Sequence, residues 1–414
     1  MREGARAAPS RVRTFEALHD GTFRRLWAAS WAYYTYRAME FAVLSWLVLE
    51  LTDSPAMVAL VGVSRAAPMF ALGLFAGSVS DRFGRKWVMA VAQALSFAVV
   101  AALTWALLAE RVAPWHAFAA IALTGTAWAL DYTARRAYLA SLFEGRSLTN
   151  AMALDTGLLI SSNLTGPVLG TVLIRWSGFG GAYAGIAVLS ALAIALVLTA
   201  RTDRAPGQRA NPLNAIAEAV AVTRRQRPIL AAVLVTASFN LFGWPISTQI
   251  PVMARDELGA SEVLFGLLAG GLGAGALVGA VLLAAFNPTR RGSVYSLGTL
   301  VFHAAALGFA LSPWYPLSVG LLLIAGVGLV CFGIMQPLLV LEVVPAELRG
   351  RAMGALALAI GMGPFGMTMV GFLAEALGPR AGIAALSVVG MGAIVVLRAK
   401  FAVLRDARER GVES

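Results

Sequence analysis

Arg37 and Glu40 stand three residues apart in the apolar run "YYTYRAMEFAVLSW" (33–46). In a helix that spacing puts both side chains on one face, with Tyr33 a turn earlier. A charge at the centre of a bilayer costs at least about 3 kcal/mol on insertion scales, so each needs a partner, a cavity or a purpose. Two chemistries fit. The charges can pair with each other, or Glu40 with Arg65 of the next apolar run, and so hold helices together. Alternatively Glu40 is a proton-coupling carboxylate, balanced between desolvation and the cations Arg37 and Arg65, whose proton moves when ligand or water enters.

A second stripe reads Thr124, Trp128, Asp131, Arg135, Tyr138 at helical spacing. Aromatic rings beside a few charges suit a large, partly apolar ligand. Tyr33, Arg37, Arg65, Trp128, Asp131 and Arg135 are therefore cavity candidates, although Asp131 with Arg135 or Arg85 also fits a lock at the cytoplasmic end of its helix. Asn240 and Trp244, with Ser247 on the same face and Pro245 able to kink it, are the candidates further along. Asp155 is a second candidate for coupling. His303, and the group Cys331, Phe332, Met335 and Gln336, read as packing. The glycine-rich "GLLAGGLGAGALVGA" (266–280) lacks a phosphate-binding lysine and reads as close helix contact. One cysteine and three scattered histidines exclude an intrachain disulfide and give no metal-ligand spacing. No metal, no cofactor and no enzymatic nucleophile are expected.

The elements that must position these residues are membrane helices. Of 414 residues, 59% are apolar and only 13% charged, too few charges to cover a soluble surface. Windows of about 20 apolar residues fall near 26–49, 56–76, 87–108, 116–141, 151–174, 181–200, 229–253, 262–285, 294–312, 315–339, 352–377 and 381–398. That predicts an all-α membrane protein with twelve transmembrane helices. The first is too long for a cleaved signal peptide and is followed directly by another. Of 33 basic residues, 27 fall on the side of the termini and four (Arg111, Arg175, Arg255, Arg380) on the other, while Arg37 and Arg65 lie within helices. The positive-inside rule then makes both termini cytoplasmic. The net charge of +11 thus reports orientation in a lipid bilayer and implies no nucleic-acid partner.

A basic linker, 201–228, separates six helices (1–200) from six more (229–414), and Leu213, Ile216 and Val220 within it are spaced like a surface helix. An offset of 201 residues superposes Gly125 on Gly326, Ala151-Met152 on Ala352-Met353 and Gly170 on Gly371. The two bundles are expected to be pseudo-symmetric.

After the second helix comes "GSVSDRFGRK" (77–86). Gly77, Asp81, Arg82, Gly84, Arg85 and Lys86 match the loop motif G-x-x-x-D-R-x-G-R-K, and the chain resembles the major facilitator superfamily. The resemblance implies a conformational lock in this loop and alternating access about a central site lined by helices 1 and 4. "WLVLELTDSP" (46–55), Arg65 with Pro68, "ALDYTARRAYLASLFEGRSLTNAMAL" (129–154) and "GPVLG" (166–170) look like bacterial exporters related to the enterobactin exporter and macrolide-efflux proteins. Thr133 stands where those exporters usually have proline, and Asn163 where arginine is expected. The expectation is a monomeric, proton-coupled exporter of a medium-sized amphipathic compound, siderophore or drug-like, in a bacterial inner membrane. Positive charge from Arg37, Arg65 and Arg135 favours an acidic group on that compound. A uniporter or importer of a lipid or metabolite is the alternative, and a receptor or membrane enzyme the reading of another class.

Overall fold

The computed structural model describes residues 16–143, 145–201, 223, 226–343 and 348–405. Most of the basic linker, including the stretch around Leu213, lies outside the described residues. So do the side chains of 72–81, among them Gly77 and Asp81 of the loop motif.

The described chain is helical almost throughout. Local signals set the boundaries. Helix α1 (Gly21–Thr52) starts at Asp20, whose carboxylate accepts from the Phe23 amide at 2.8 Å. It ends at Asp53 in the left-handed region, and Ser54 then caps α2 (Pro55–Phe83), with Pro55 in the first turn. The "TDSP" tetrapeptide is thus one chain reversal. Gly84, at φ 81°, makes the turn into α3 (Arg85–Leu108), and Pro114 opens α4 (Pro114–Leu142).

Two expected helices, 151–174 and 181–200, form one run, α5 (Gly145–Leu198), interrupted at Gly178. There φ 66° and ψ −176° select glycine, because a Cβ would clash in that region. Gly178 thus divides α5 into the two expected helices, which meet at a sharp corner with no loop between them. Beyond the linker, α6 (Arg227–Ser238) continues through a π-turn (Phe239–Gly243) and a 3-10 segment (Trp244–Gln249) to Glu257. Then follow α7 (Glu262–Phe286), α8 (Arg291–Leu311), α9 (Tyr315–Val343), α10 (Arg349–Ile360), α11 (Gly363–Leu377) and α12 (Pro379–Lys400).

Eight helical runs among the described residues are long and apolar enough to cross a membrane. Helices α1 and α4 are not among them, because their charges and polar-aromatic stripes lower their hydropathy. The two helices that carry the paired charges Arg37–Glu40 and Asp131–Arg135 thus fall short of the apolar threshold those eight pass.

Residues 17–200 form two apolar clusters, one around Tyr36, Leu44, Ile121 and Tyr183 and one around Phe23, Met89 and Tyr138. A third runs through 229–404 and takes in Ala42 and Trp46 of α1, with Trp46 stacked on Phe265 at 5.3 Å. Glycine lets α7 and α9 touch: a Cβ on Gly275 would sit 1.9 Å from the Leu323 carbonyl oxygen, and one on Gly326 would sit 2.1 Å from that of Leu272. This accounts for the glycine-rich stretch as close packing. Gly275→Val is expected to destabilise the chain by about 1–3 kcal/mol or more, since backbone must move. The check is thermal unfolding in detergent, with Gly320→Ala, a site with open space around it, as the neutral control.

Candidate functional site

The face of α1 that carries the charges turns inward. Glu40 is fully buried and accepts from Arg37 Nη1 at 2.5 Å and from Thr124 Oγ1 of α4 at 3.0 and 3.2 Å. Arg37 Nε and Nη2 have no partner among the described residues, and its guanidinium lies 5.9 Å from the centre of the Trp128 ring.

One turn towards the chain's start, a second network closes on itself. Asp131 accepts from Arg135 Nε (2.9 Å) and Nη2 (3.0 Å) and from Gln93 Nε2 (2.9 Å). Arg135 Nη1 donates to Ser30 Oγ (2.7 Å), which donates to Asp155 Oδ1 (2.8 Å), whose other oxygen accepts from Tyr34 (2.8 Å). The rings of Tyr33 and Tyr34 stand 5.3 and 5.7 Å from the Arg135 guanidinium. Four helices, α1, α3, α4 and α5, are bonded through these groups.

Beside the first pair lies a cavity of about 640 Å³. Phe41, Arg65, Phe70 and Trp128 line one side, and Asn240, Trp244, Ser247, Leu358, Ile360 and Met367 line the other. Four expected cavity residues, Arg65, Trp128, Asn240 and Trp244, are on its wall. Tyr33, Arg37, Asp131 and Arg135 are not. Trp128 is stacked on Tyr33 at 5.8 Å and lies beside Arg37, so its ring stands between them and the open space, while Asp131 and Arg135 are fully buried behind it. Asp155 is likewise held inside the second network, away from the cavity.

The cavity residues that sequence reasoning did not single out are apolar: Phe41, Met69, Phe70, Leu358, Ile360 and Met367. One signal was available. The "GMGP" at 361–364 breaks an apolar segment between α10 and α11, and glycine- or proline-interrupted membrane helices mark transporter sites. The π-turn and 3-10 segment that aim Asn240, Trp244 and Ser247 are a second such break.

The far end of the molecule from residue 21 is tied shut between its two halves. Arg255 donates to the Leu49 carbonyl at 3.0 Å and to Asp53. Glu375 of α11 accepts from Ser54 Oγ (2.8 Å) and the Ala56 amide (3.2 Å), capping α2 from outside. In the motif loop, Arg82 stands 5.4 Å from the Phe83 ring and Lys86 5.5 Å from the Trp87 ring, while Gly84 supplies the turn. Arg85 is half-buried.

Residues 12–411 match the family model described as transmembrane secretion effector. The chain belongs to that family, within the major facilitator superfamily. The chain is 28% identical over 363 residues to the multidrug efflux pump Tap of Mycobacterium tuberculosis, across 83% of this chain and 84% of that one. It is 21% identical over 274 residues to the staphyloferrin A transporter of Staphylococcus aureus, across 64% of this chain and 68% of that one. Its fold matches that of a POT family transporter in complex with 5-aminolevulinic acid, with a TM-score of 0.74 at 12% identity over 92% of this chain and 96% of that one. The nucleoside transporter NupG matches with 0.67 at 17% identity, over 94% and 100%. At such identities the structural likeness carries the fold alone. The family and the efflux relatives make this chain a multi-pass membrane transporter of small molecules, not an enzyme.

Proposed function

We propose that this transporter is a proton-coupled exporter of a medium-sized amphipathic compound, working by alternating access in a bacterial inner membrane. Twelve spans in two six-helix bundles, 1–200 and 229–414, would rock about the cavity as a monomer with both termini cytoplasmic. The observation that carries this reading is a cavity of about 640 Å³ lined from both halves of the chain, within the size range of small-molecule sites. Behind its aromatic wall sits a fully buried carboxylate, Glu40.

The tied end supports an inward-open state. Phe70, Ala71 and Ile360 line the cavity yet are exposed, whereas the opposite end is held by Arg255 and Glu375. Each exposed ion pair contributes under about 1 kcal/mol, but the Glu375 cap adds two charge-assisted bonds at a helix N-terminus. Removing both with Arg255→Gln and Glu375→Gln is expected to shift the population towards opening at that end. Spin labels at residues 51 and 258, in a Cys331→Ser background, would read this as longer distances. An unchanged distribution counts against the tie.

The reading itself is tested in proteoliposomes. Labelled substrate is expected to undergo counterflow, and an imposed pH gradient to drive it uphill until a protonophore collapses the gradient. Counterflow without any response to the gradient would leave a uniporter.

A further inference from the structure

Three arginines, Arg37, Arg65 and Arg135, lie inward on helices of the first half of the chain, and two of them are neutralised. Glu40 holds Arg37, and Asp131 holds Arg135. Arg65 differs. Among the described residues it is the one ionisable side chain on the cavity wall, and it forms no hydrogen bond or ion pair with any of them. The nearest acid, Glu40, is engaged by Arg37 and Thr124. Arg65 meets a ring instead, its guanidinium standing 4.6 Å from the centre of Phe41.

Its position is built. Helices α2 and α4 touch at this point, where a Cβ on Gly125 would lie 2.7 Å from the Arg65 carbonyl oxygen. The contact fixes the backbone from which the side chain reaches the cavity. An unpaired guanidinium at membrane depth destabilises the empty protein, and the apolar walls on either side offer it no anion.

We infer that Arg65 is the anchor for an anionic group, a carboxylate above all, on the transported molecule, whose apolar body lies against Phe70, Trp128, Trp244 and Met367. This rests on the reading of the cavity as the transport site and names the substrate class: amphipathic acids in preference to neutral or cationic analogues. Guanidinium matches a carboxylate with two parallel hydrogen bonds, which an ammonium group cannot do.

The test uses three probes with one body: pyrenebutyric acid, pyrenebutyramide and pyrenebutylamine. Binding to the full chain in nanodiscs is read by tryptophan quenching, and movement by counterflow in proteoliposomes. The acid is expected to bind at least about tenfold tighter than the amide or the amine. Arg65→Gln should erase that order, and Arg65→Lys should retain part of it. Without ligand, Arg65→Gln should unfold at the same temperature as the parent or higher, because an unpaired buried cation has been removed. Equal binding of acid and amine, no quenching by the acid, or an order that survives Arg65→Gln overturns the inference. Acid-selective quenching without movement of any probe leaves the anchor standing and sinks the exporter reading. Movement without acid preference does the reverse.

Discussion

Asp131→Ala is expected to destabilise the transporter by about 3–5 kcal/mol, the size seen when one member of a buried ion pair is removed. Asp131 and Arg135 are both fully buried. The carboxylate accepts three hydrogen bonds, two of them from Arg135. Alanine would leave the guanidinium with Ser30 and the faces of two tyrosines, and with no anion except Asp155 beyond the serine hydroxyl. Gln93 would lose its acceptor as well. The double change Asp131→Leu with Arg135→Met should recover most of the loss, because apolar replacement of a whole buried pair is often neutral or better. Thermal unfolding of the purified protein in nanodiscs measures both. A single variant as stable as the parent would mean that Arg135 finds another partner, and the network would then not be what binds α1, α3, α4 and α5.

Sequence reasoning reached the helices and the family because both are written in local patterns. Long apolar windows and the ten-residue loop motif need no tertiary contact to be read. The pairing of Arg37 with Glu40 was also legible, since a spacing of three leaves few options. Which face of α1 meets the ligand was not. The stripe Ser30, Tyr33, Arg37, Glu40 is polar enough to line a cavity, yet bonds to Thr124, Arg135 and Asp155 turn it into its own bundle. Those partners lie 84 to 125 residues away, beyond the reach of periodicity. The cavity wall was hidden for the opposite reason. Phe70, Leu358 and Ile360 face the cavity with side chains that lipid would accept equally well, so no residue type marks them. The join between the fifth and sixth expected helices was hidden as well, because Gly178, between two apolar windows, turns the chain sharply with no intervening loop.

Glu40→Gln is expected to abolish efflux driven by a pH gradient, slowing it by about a hundredfold or more, the weight of a positioned proton-transfer group, while counterflow changes only a few fold. Glutamine keeps the shape and one carbonyl acceptor for Arg37 Nη1 or Thr124 Oγ1, so the wall formed by Phe41 and Trp128 should hold its place. What it lacks is the titratable oxygen. A proton on Glu40 would cancel its charge and release Arg37 from the ion pair, and the Arg37 guanidinium lies 5.9 Å from the centre of the Trp128 ring. Ligand pressing on the front of that ring and a proton arriving behind it would act on the same side chain, which is the coupling the geometry permits. In Glu40→Gln, Arg37 lacks its counter-charge at every pH, so the profile of counterflow against pH should be flat where the parent's is not. Asp155→Asn is the discriminating partner variant. Asp155 sits in the second network with Ser30 and Tyr34, away from the cavity, and its replacement should cost stability yet spare gradient-driven efflux. Should Glu40→Gln still concentrate substrate against a proton gradient while Asp155→Asn does not, the coupling site is the second network, and the pair Arg37–Glu40 only holds α1 to α4.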